Sequence, residues 1–453
     1  MNFLCKIGIK KIFFLLKNKK ISNYELTKCC LKNLINIKKK NNFNINFFYK
    51  ESLNFAIKMD ENCKIILPIS LKNIFLTNKK LISCNSELLK KKKSIFDSNI
   101  IKILKKNNFN ILSFDKLDEF CVGSIGNNNA SIKNNYNSNI IIGGSSSGSS
   151  LNISYGCSLA SLASDTGGSV RTPSSCCNIV GYKPTNGIFS RNGMVPYSSY
   201  LDNCSIIANY AEDCKFIFNI LKNKNLDLLS NCKYINFNFI KKKIFTILNY
   251  KEFYSSKEIE LLFNIIIKNL EKLNFNIINK NLNLNSFINF YNFLSSKEFY
   301  SNSCKYDGIK YGFFKKKYKN ENDFIKLNRI FSQNCKNKII KGLNILNIKN
   351  NINNIDILNI KKFLNECFID SNFLILPTNL KKFNLNDNYY SEYIDLLTVF
   401  ANVFGFPSIN IRMGLLNHCP IGFQIFSNKN CDIDLLNISI LYESYNFKNY
   451  VFN

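Results

Sequence analysis

Apolar positions along this chain recur with two periods, and their alternation predicts a layered α/β fold. Ser22-Asn23-Tyr24-Glu25 fits a capping box, and Leu26, Cys29, Cys30 and Leu34 follow it at helical spacing, so the pattern predicts a helix over 22–37. Before it, Met1 to Lys20 holds the run Ile12-Phe13-Phe14-Leu15-Leu16 between lysines with no small-residue cleavage site after it. That segment is expected to open the fold as an amphipathic helix rather than to act as a leader. From Ile65 to Leu76 the apolar residues are nearly continuous, as in a short buried strand, and Lys72 stands near its end. Ser149 to Tyr155 then reads as a short helix and Cys157 to Ala163 as a strand.

Downstream, Ile244 to Leu248 reads as a strand, Ser255-Ser256-Lys257-Glu258 as a helix start, and Ile259, Leu262, Phe263, Ile266, Leu270 and Leu273 as one apolar stripe. Phe275 to Ile278 is the next expected strand. Lys336 to Lys362 is almost all Asn, Ile, Lys and Leu and gives no clear period. Phe373 to Leu376, Ser408 to Met413 and Ile421 to Phe426 read as strands, with a helix from Asp432 onward. No internal repeat and no Pro/Gly linker interrupts the 453 residues, which favours one continuous domain. The expected parts are a helical beginning (about 1–60), a core (about 61–205), a helical and Asn/Lys-rich middle (about 250–365), and C-terminal strands and a helix (about 370–453).

Composition removes several function classes. The net charge is +30, yet only four of the 61 basic residues are arginine (Arg171, Arg191, Arg329, Arg412) and Trp is absent. Asn-, Ile- and Lys-rich usage of that kind fits AT-rich coding better than a dedicated RNA-binding face, although the charge keeps RNA binding as an alternative. The 17 cysteines show no CxxC spacing, which argues against a zinc site or disulfide framework and for a reducing compartment. No apolar run has the ~18 residues of a membrane span. A soluble cytoplasmic protein is expected.

Two Gly/Ser-rich turns carry the candidate chemistry: Gly143-Gly144-Ser145-Ser146-Ser147-Gly148-Ser149-Ser150 and Ser164-Asp165-Thr166-Gly167-Gly168-Ser169-Val170-Arg171. Such turns bring hydroxyls and backbone N–H groups close to a ligand. The first matches GxSxG, so Ser146 with His418, the single histidine, would make a His-dependent hydrolase. It lacks a Walker lysine, and one histidine excludes HExxH and His-rich metal sites. If histidine is not the base, Lys72 is the candidate, because an apolar strand disfavours the charged lysine and only a neutral one accepts a proton. The second turn presents successive N–H groups before Ser169, an arrangement that can hold an oxyanion while the serine attacks a carbonyl. It reads equally well as a helix N-terminus capped by Ser169, with Pro173 in the first turn.

These two blocks, with Gly181-Tyr182-Lys183-Pro184-Thr185-Asn186-Gly187, resemble the amidase signature family. The resemblance implies a single α/β domain whose central mixed sheet is covered by helices on both faces. It also implies a Ser–Ser–Lys triad with Ser169 the acylated nucleophile, Ser145 the bridging serine after a cis peptide and Lys72 the base. Thr166, Gly167 and Gly168 would line the oxyanion hole. Within the family the chain is similar to the glutamine-hydrolysing subunits of complexes that amidate Glu-tRNA(Gln), through Ser22–Leu31, Asp118–Ser124, Lys305–Gly312, Tyr393–Thr398 and Pro420–Gln424. That similarity implies that Asp395 holds the amino group of glutamine and that Lys338, in place of an arginine, takes its carboxylate. It further implies partner subunits B and C, tRNA bound mainly by them, ATP and Mg used by the assembled complex, and no cofactor or metal in this chain. A stand-alone amidase acting on another amide is the alternative. The chain departs from the pattern at Asn73 (usually Asp), Ile142 (usually Pro), Ser147 (usually Gly) and Asn127 (usually Glu); the last puts ammonia transfer in question.

Overall fold

Eleven strands of the computed structural model join in one sheet; the structure describes residues 4–38, 41, 43–126, 132–222, 244–248, 256–280, 285–312, 319–347, 358, 362, 366, 368, 371–380, 384 and 394–450. In chain order the strands are β1 (Asn44–Phe47), β2 (Leu67–Lys72), β3 (Phe109–Asp115), β4 (Ala160–Asp165), β5 (Val180–Lys183), β6 (Asn203–Ala208), β7 (Ile244–Leu248), β8 (Asn276–Lys280), β9 (Phe373–Pro377), β10 (Ser408–Leu416) and β11 (Cys419–Ser427). Their order across the sheet is β1-β3-β2-β4-β6-β5-β10-β11-β9-β7-β8. β2 runs parallel to β3 and β4, and β7 runs parallel to β8 and β9; the remaining neighbours are antiparallel. Every residue of β2, β4, β5, β6, β9 and β11 is buried, which requires cover on both faces, and helices supply it. The sheet is therefore mixed and the fold α/β, as the sequence pattern implies.

Local signals become local structure by the expected contacts. The helix Asn23–Lys38 is entered through a reciprocal capping box: Ser22 Oγ accepts from the Glu25 N–H at 3.0 Å, and Glu25 Oε2 accepts from the Ser22 N–H at 2.8 Å. Ser256 Oγ likewise accepts from the Ile259 N–H, starting the helix Lys257–Lys272, whose Ile259, Phe263, Ile266 and Leu270 are buried while Leu262 lies at the edge of the stripe. The opening segment forms a helix over Ile9–Lys17 that buries Ile12 and Leu16 and leaves Phe13 and Phe14 in solvent. Among the described residues no helix is long and apolar enough to cross a membrane.

Three boundaries differ from the pattern, and two of them set up the site. The run Ile65–Leu76 is a strand only to Lys72, because the chain then turns: Asn73 N–H donates to Asp115 O and Ile74 N–H to Lys72 O. The strand expected at Cys157–Ala163 begins at Ala160 instead. Cys157 N–H still bonds to Asn152 O, closing the helix Ser147–Ser154, and the three-residue shift carries β4 to Asp165, directly against the second Gly/Ser turn. β10 and β11 run longer than expected and meet in a two-residue turn, Asn417-His418, both at positive φ (48° and 62°), the type I′ hairpin geometry. In the stretch Lys336–Lys362 the helix Gln333–Asn347 covers the first part; 348–357 lie outside the described residues, as do Asn127 and Tyr393.

Candidate active site

β2 and β4 are parallel neighbours, so Lys72 and Asp165 come from the same ends of adjacent strands, where open α/β sheets place their ligands. The first Gly/Ser turn fills the space above them and leads into the helix Ser147–Ser154; its Gly144–Ser145 peptide is cis. Gly144 has no room for a side chain, since a Cβ there would collide with Asp118 Oδ2. Asp118 N–H in turn donates to Ser145 O at 3.2 Å.

Lys72 is fully buried, and its Nζ lies within hydrogen-bonding distance of three oxygens: Ser145 Oγ at 2.7 Å, Ser164 Oγ at 2.9 Å and Ser164 O at 3.4 Å. The two turns touch through Ser146 N–H, which donates to Ser169 O at 3.3 Å. Exposure then separates the serines. Ser145 and Ser146 are 0% exposed and Ser169 is 9% exposed, so of the three Ser169 is the one that keeps accessible surface. Ser146 Oγ donates to Ser164 O at 3.2 Å, whereas His418 stands exposed at the tip of the β10–β11 hairpin. The Ser146–His418 pairing is thus contradicted: the hairpin register carries that histidine into solvent.

The second turn is held from beneath. Asp165 accepts from the N–H groups of Gly168 (2.9 Å) and Val170 (3.2 Å), and from Arg171 Nε and Nη2 (3.1 and 3.0 Å). Arg171, also fully buried, spends its other donors on Thr398 O, Gln424 Oε1 and Asn402 Oδ1. Burial pushes the Asp165 carboxyl up, but the Arg171 charge and hydrogen bonds outweigh it and take it from 3.8 down to about 2. A helix does follow, Arg171–Cys176 with Pro173 in its first turn, but its N-cap is Val170 without a side-chain cap bond, so Ser169 is not a capping serine.

Thr166, Gly167 and Gly168 line the turn, with one change from expectation. The Gly168 N–H is committed to Asp165, leaving those of Gly167 and Ser169 without an acceptor among the described residues. Gly168 sits at φ +127°, and a Cβ there would strike Thr398 Oγ1, whose hydroxyl donates to Gly167 O. A Cβ at Gly167 would meet the Tyr291 ring and hydroxyl, so that ring roofs the turn. Thr166 Oγ1 donates to Asp202 at 2.6 Å.

Asp395 and Lys338 both reach this region. Asp395 is buried; Ser124 Oγ donates to its Oδ2, and its Oδ1 has no partner among the described residues. Burial raises its carboxyl from 3.8 to about 7, with the Ser124 bond and the Arg171 and Lys338 charges opposing that shift. Lys338 Nζ lies over the Tyr291 ring, 5.6 Å from its centroid. Its helix is tied to the Asp118–Ser124 block by the Ser332 N–H bond to Glu119 Oε2. Of the departures noted, Asn73 keeps the acceptor an aspartate would offer: its Oδ1 takes the Ser83 N–H and hydroxyl and the Cys84 N–H.

Residues 25–436 match the family described as Amidase. The chain belongs to the amidase family. The A subunit of the Thermotoga maritima glutamyl-tRNA(Gln) amidotransferase is 28% identical over 390 residues, 81% of either chain, and its Legionella pneumophila counterpart is 28% identical over 464 residues, 95% of either chain. The solved Thermotoga maritima protein superposes with a TM-score of 0.74 at 22% identity, covering 96% of this chain and 94% of its own. A solved amidase gives 0.81 at 18%, covering 97% and 99%. At these identities the structural likeness establishes the fold.

Several residues of the amidase site carry no role in the sequence pattern: Ser164, Asp118, Ser124, Tyr291 and Thr398. Ser164, Asp118, Ser124 and Thr398 sit in blocks already singled out, where a polar residue facing a buried lysine or carboxylate is a usable signal. Tyr291 lies in no motif, and only the packing of the helix Asn285–Ser303 brings it over Gly167.

Arg171→Met is expected to lower the unfolding free energy by about 3–5 kcal/mol, because Asp165 is left as a buried carboxylate without its cation. Urea unfolding checks this; a change within about 0.5 kcal/mol, the range of an inconsequential substitution, would contradict it. Because the folded carboxyl titrates below its ordinary value, its contribution is fully present above about pH 4 and is lost as the pH falls through about 2.

Proposed function

We propose that the chain is the glutaminase, or A, subunit of a Glu-tRNA(Gln) amidotransferase. The observation that carries this reading is the 2.7 Å contact between Lys72 Nζ and Ser145 Oγ, beneath a turn whose Ser169 keeps accessible surface. Ser169 Oγ attacks the side-chain carbonyl carbon of glutamine while its proton passes to Ser145 and the Ser145 proton passes to neutral Lys72. The developing oxyanion is met by backbone N–H groups of the Thr166–Ser169 turn, held still by Asp165 and Arg171. The C–N bond then breaks, the nitrogen regains the proton through the same relay and leaves as ammonia, and water hydrolyses the glutamyl ester on Ser169 to glutamate.

Asp395 offers its open Oδ1 to the glutamine ammonium, and Lys338 offers its charge to the α-carboxylate. The ammonia passes to a partner, B, in a complex with C. That complex uses ATP and Mg to activate Glu-tRNA(Gln) and holds the tRNA mainly through those partners in the cytoplasm. The names of the relatives support this substrate and this assembly.

The alternative is a stand-alone amidase, and one comparison separates the two. Asp395→Ala in the assembled complex is expected to raise the glutamine KM roughly 10–100-fold, the worth of a charged hydrogen bond, with a smaller change in kcat. Unchanged glutamine kinetics in that variant, together with hydrolysis of other amides by the isolated chain at full rate, would favour the stand-alone enzyme.

A further inference from the structure

The loop Asp118–Gly123 backs both hydroxyls that meet Lys72 Nζ, and Asp118 within it is a buried carboxylate that the relay proposed above leaves unused. The Asp118 N–H donates to Ser145 O at 3.2 Å, and its side chain lies so close to the first Gly/Ser turn that a Cβ at Gly144 would be 2.1 Å from Oδ2. Three residues on, the Cys121 thiol lies 3.5 Å from Ser164 Oγ. The loop is held firmly in this place. Phe120 and Cys121 both sit at positive φ (48° and 65°), a conformation that side chains keep only where the surroundings over-determine it. Phe120 N–H donates to Cys84 O and Cys121 N–H to Asp118 O, and the Phe120 ring packs against those of Tyr306 and Phe331.

Asp118 Oδ2 has no hydrogen-bond partner among the described residues. Burial raises the carboxyl to about 6, against the pull of the Lys72 charge and the Gly126 N–H, so it is ionised at about pH 8. The attraction is mutual: the Lys72 charge favours the carboxylate, and the carboxylate favours the Lys72 charge by the same amount. The other titratable groups around the pair are engaged. Asp115, which ends β3 beside Lys72, accepts from Asn152 and from the hydroxyls of Ser113, Ser149 and Ser161. Glu119 accepts from the Ser86 hydroxyl and the Ser332 N–H, Asp395 from the Ser124 hydroxyl, and Asp165 holds Arg171. Burial keeps Cys84 a neutral thiol, faced by the Lys305 charge, and the Cys121 thiol faces Ser164.

We propose that Asp118 is a positioning residue of the relay: its N–H holds the Ser145 carbonyl in place, and its carboxylate stabilises the charge that Lys72 acquires on taking the Ser145 proton. Asp118 itself takes no proton, a division of labour like that of the buried aspartate in a Ser-His-Asp triad. The inference rests on the serine–lysine relay proposed above but not on glutamine, so labelling of Ser169 by phenylmethanesulfonyl fluoride tests it. In that reaction Ser169 Oγ bonds to sulfur, fluoride leaves, and the serine proton passes through Ser145 to Lys72. The full chain is labelled between about pH 5 and 10 as wild type, Ser169→Ala and Asp118→Asn, and mass spectrometry gives the rate at Ser169. Asp118→Asn keeps the backbone N–H and the side-chain shape while removing the charge. Wild-type labelling is expected to rise with pH as Lys72 loses its proton. In Asp118→Asn the rise should move to lower pH by about one unit, the usual worth of a nearby opposite charge, and the plateau should fall by up to roughly tenfold. An unshifted rise, with or without slower labelling, would overturn the proposal, as would a wild type that leaves Ser169 unlabelled. The shift seen in a chain whose assembled complex releases no ammonia from glutamine would support the proposal and refute the glutaminase reading alone. If Asp118→Asn fails to fold, Lys72→Met decides: infrared titration should show a carboxyl moved upward from about 6, and finding none moved would overturn the proposal.

Discussion

Ser169→Ala is expected to lower glutamine hydrolysis by roughly 10⁴-fold or more while leaving the fold unchanged, because it removes the attacking oxygen and little else. Val170, not Ser169, is the N-cap of the helix that follows, and the backbone bond from Ser146 N–H to the Ser169 carbonyl survives the change. Stability should therefore stay within about 0.5 kcal/mol of wild type, as for substitutions that touch no packed contact. Ser145→Ala should cost activity comparably, and the double variant should be little worse than either single one, since groups that act as one relay are not additive. Ammonia release, followed with the assembled complex, gives the rates. Wild-type turnover by Ser169→Ala would end the account.

Lys72→Ala is expected to cost activity on a similar scale, roughly 10³-fold or more, and to destabilise the chain as well. The two effects share a cause. Ser164 O keeps the Ser146 hydroxyl and Ser164 Oγ keeps the Cys121 thiol at 3.5 Å, so Ser145 Oγ, in the buried floor of the site, is the group that loses its partner, and a polar group left unmet there costs about 1–3 kcal/mol. Asp118 adds a second readout. Burial raises its carboxyl to about 6 even though the Lys72 charge pulls it down, so removing that charge is expected to raise it further. Lys72→Arg should not restore turnover, because a guanidinium does not give up its proton. Activity that persists in Lys72→Ala but disappears in His418→Ala would show that the base has been misplaced.

What could be read from the sequence follows from where the information resides. Helices declared by a cap and a stripe, such as Asn23–Lys38 and Lys257–Lys272, are legible because the cap bond and the buried face both lie within a few residues. β3 escapes the pattern because Asn110 and Ser113 interrupt its apolar run. They are buried all the same, Asn110 through a bond to Ser52 O and Ser113 through one from Asn152, contacts that no local window reveals. β5 and β6 are short and flanked by turns, and only the neighbours they gain in the sheet make them strands.

At the site, the Gly/Ser turns and the lysine that ends an apolar run are visible as residue types in an unusual setting. That Lys72 meets Ser164 is a consequence of parallel pairing between β2 and β4, and that it meets Ser145 follows from the turn before the helix Ser147–Ser154 folding against them; chain order alone contains neither. The support of Asp165 is likewise completed from two distant segments, Asn402 bonding both Asp165 and Arg171 and Gln424 bonding Arg171. It also explains why the Gly168 N–H, which looks free in the sequence, is already taken.

If Ser169 carries the acyl group, mass spectrometry of the complex quenched during glutamine turnover captures it. A single glutamyl adduct is expected on the peptide containing Ser169, absent in Ser169→Ala. An adduct on Ser146, or turnover without any adduct that survives intact in Ser169→Ala, would contradict it.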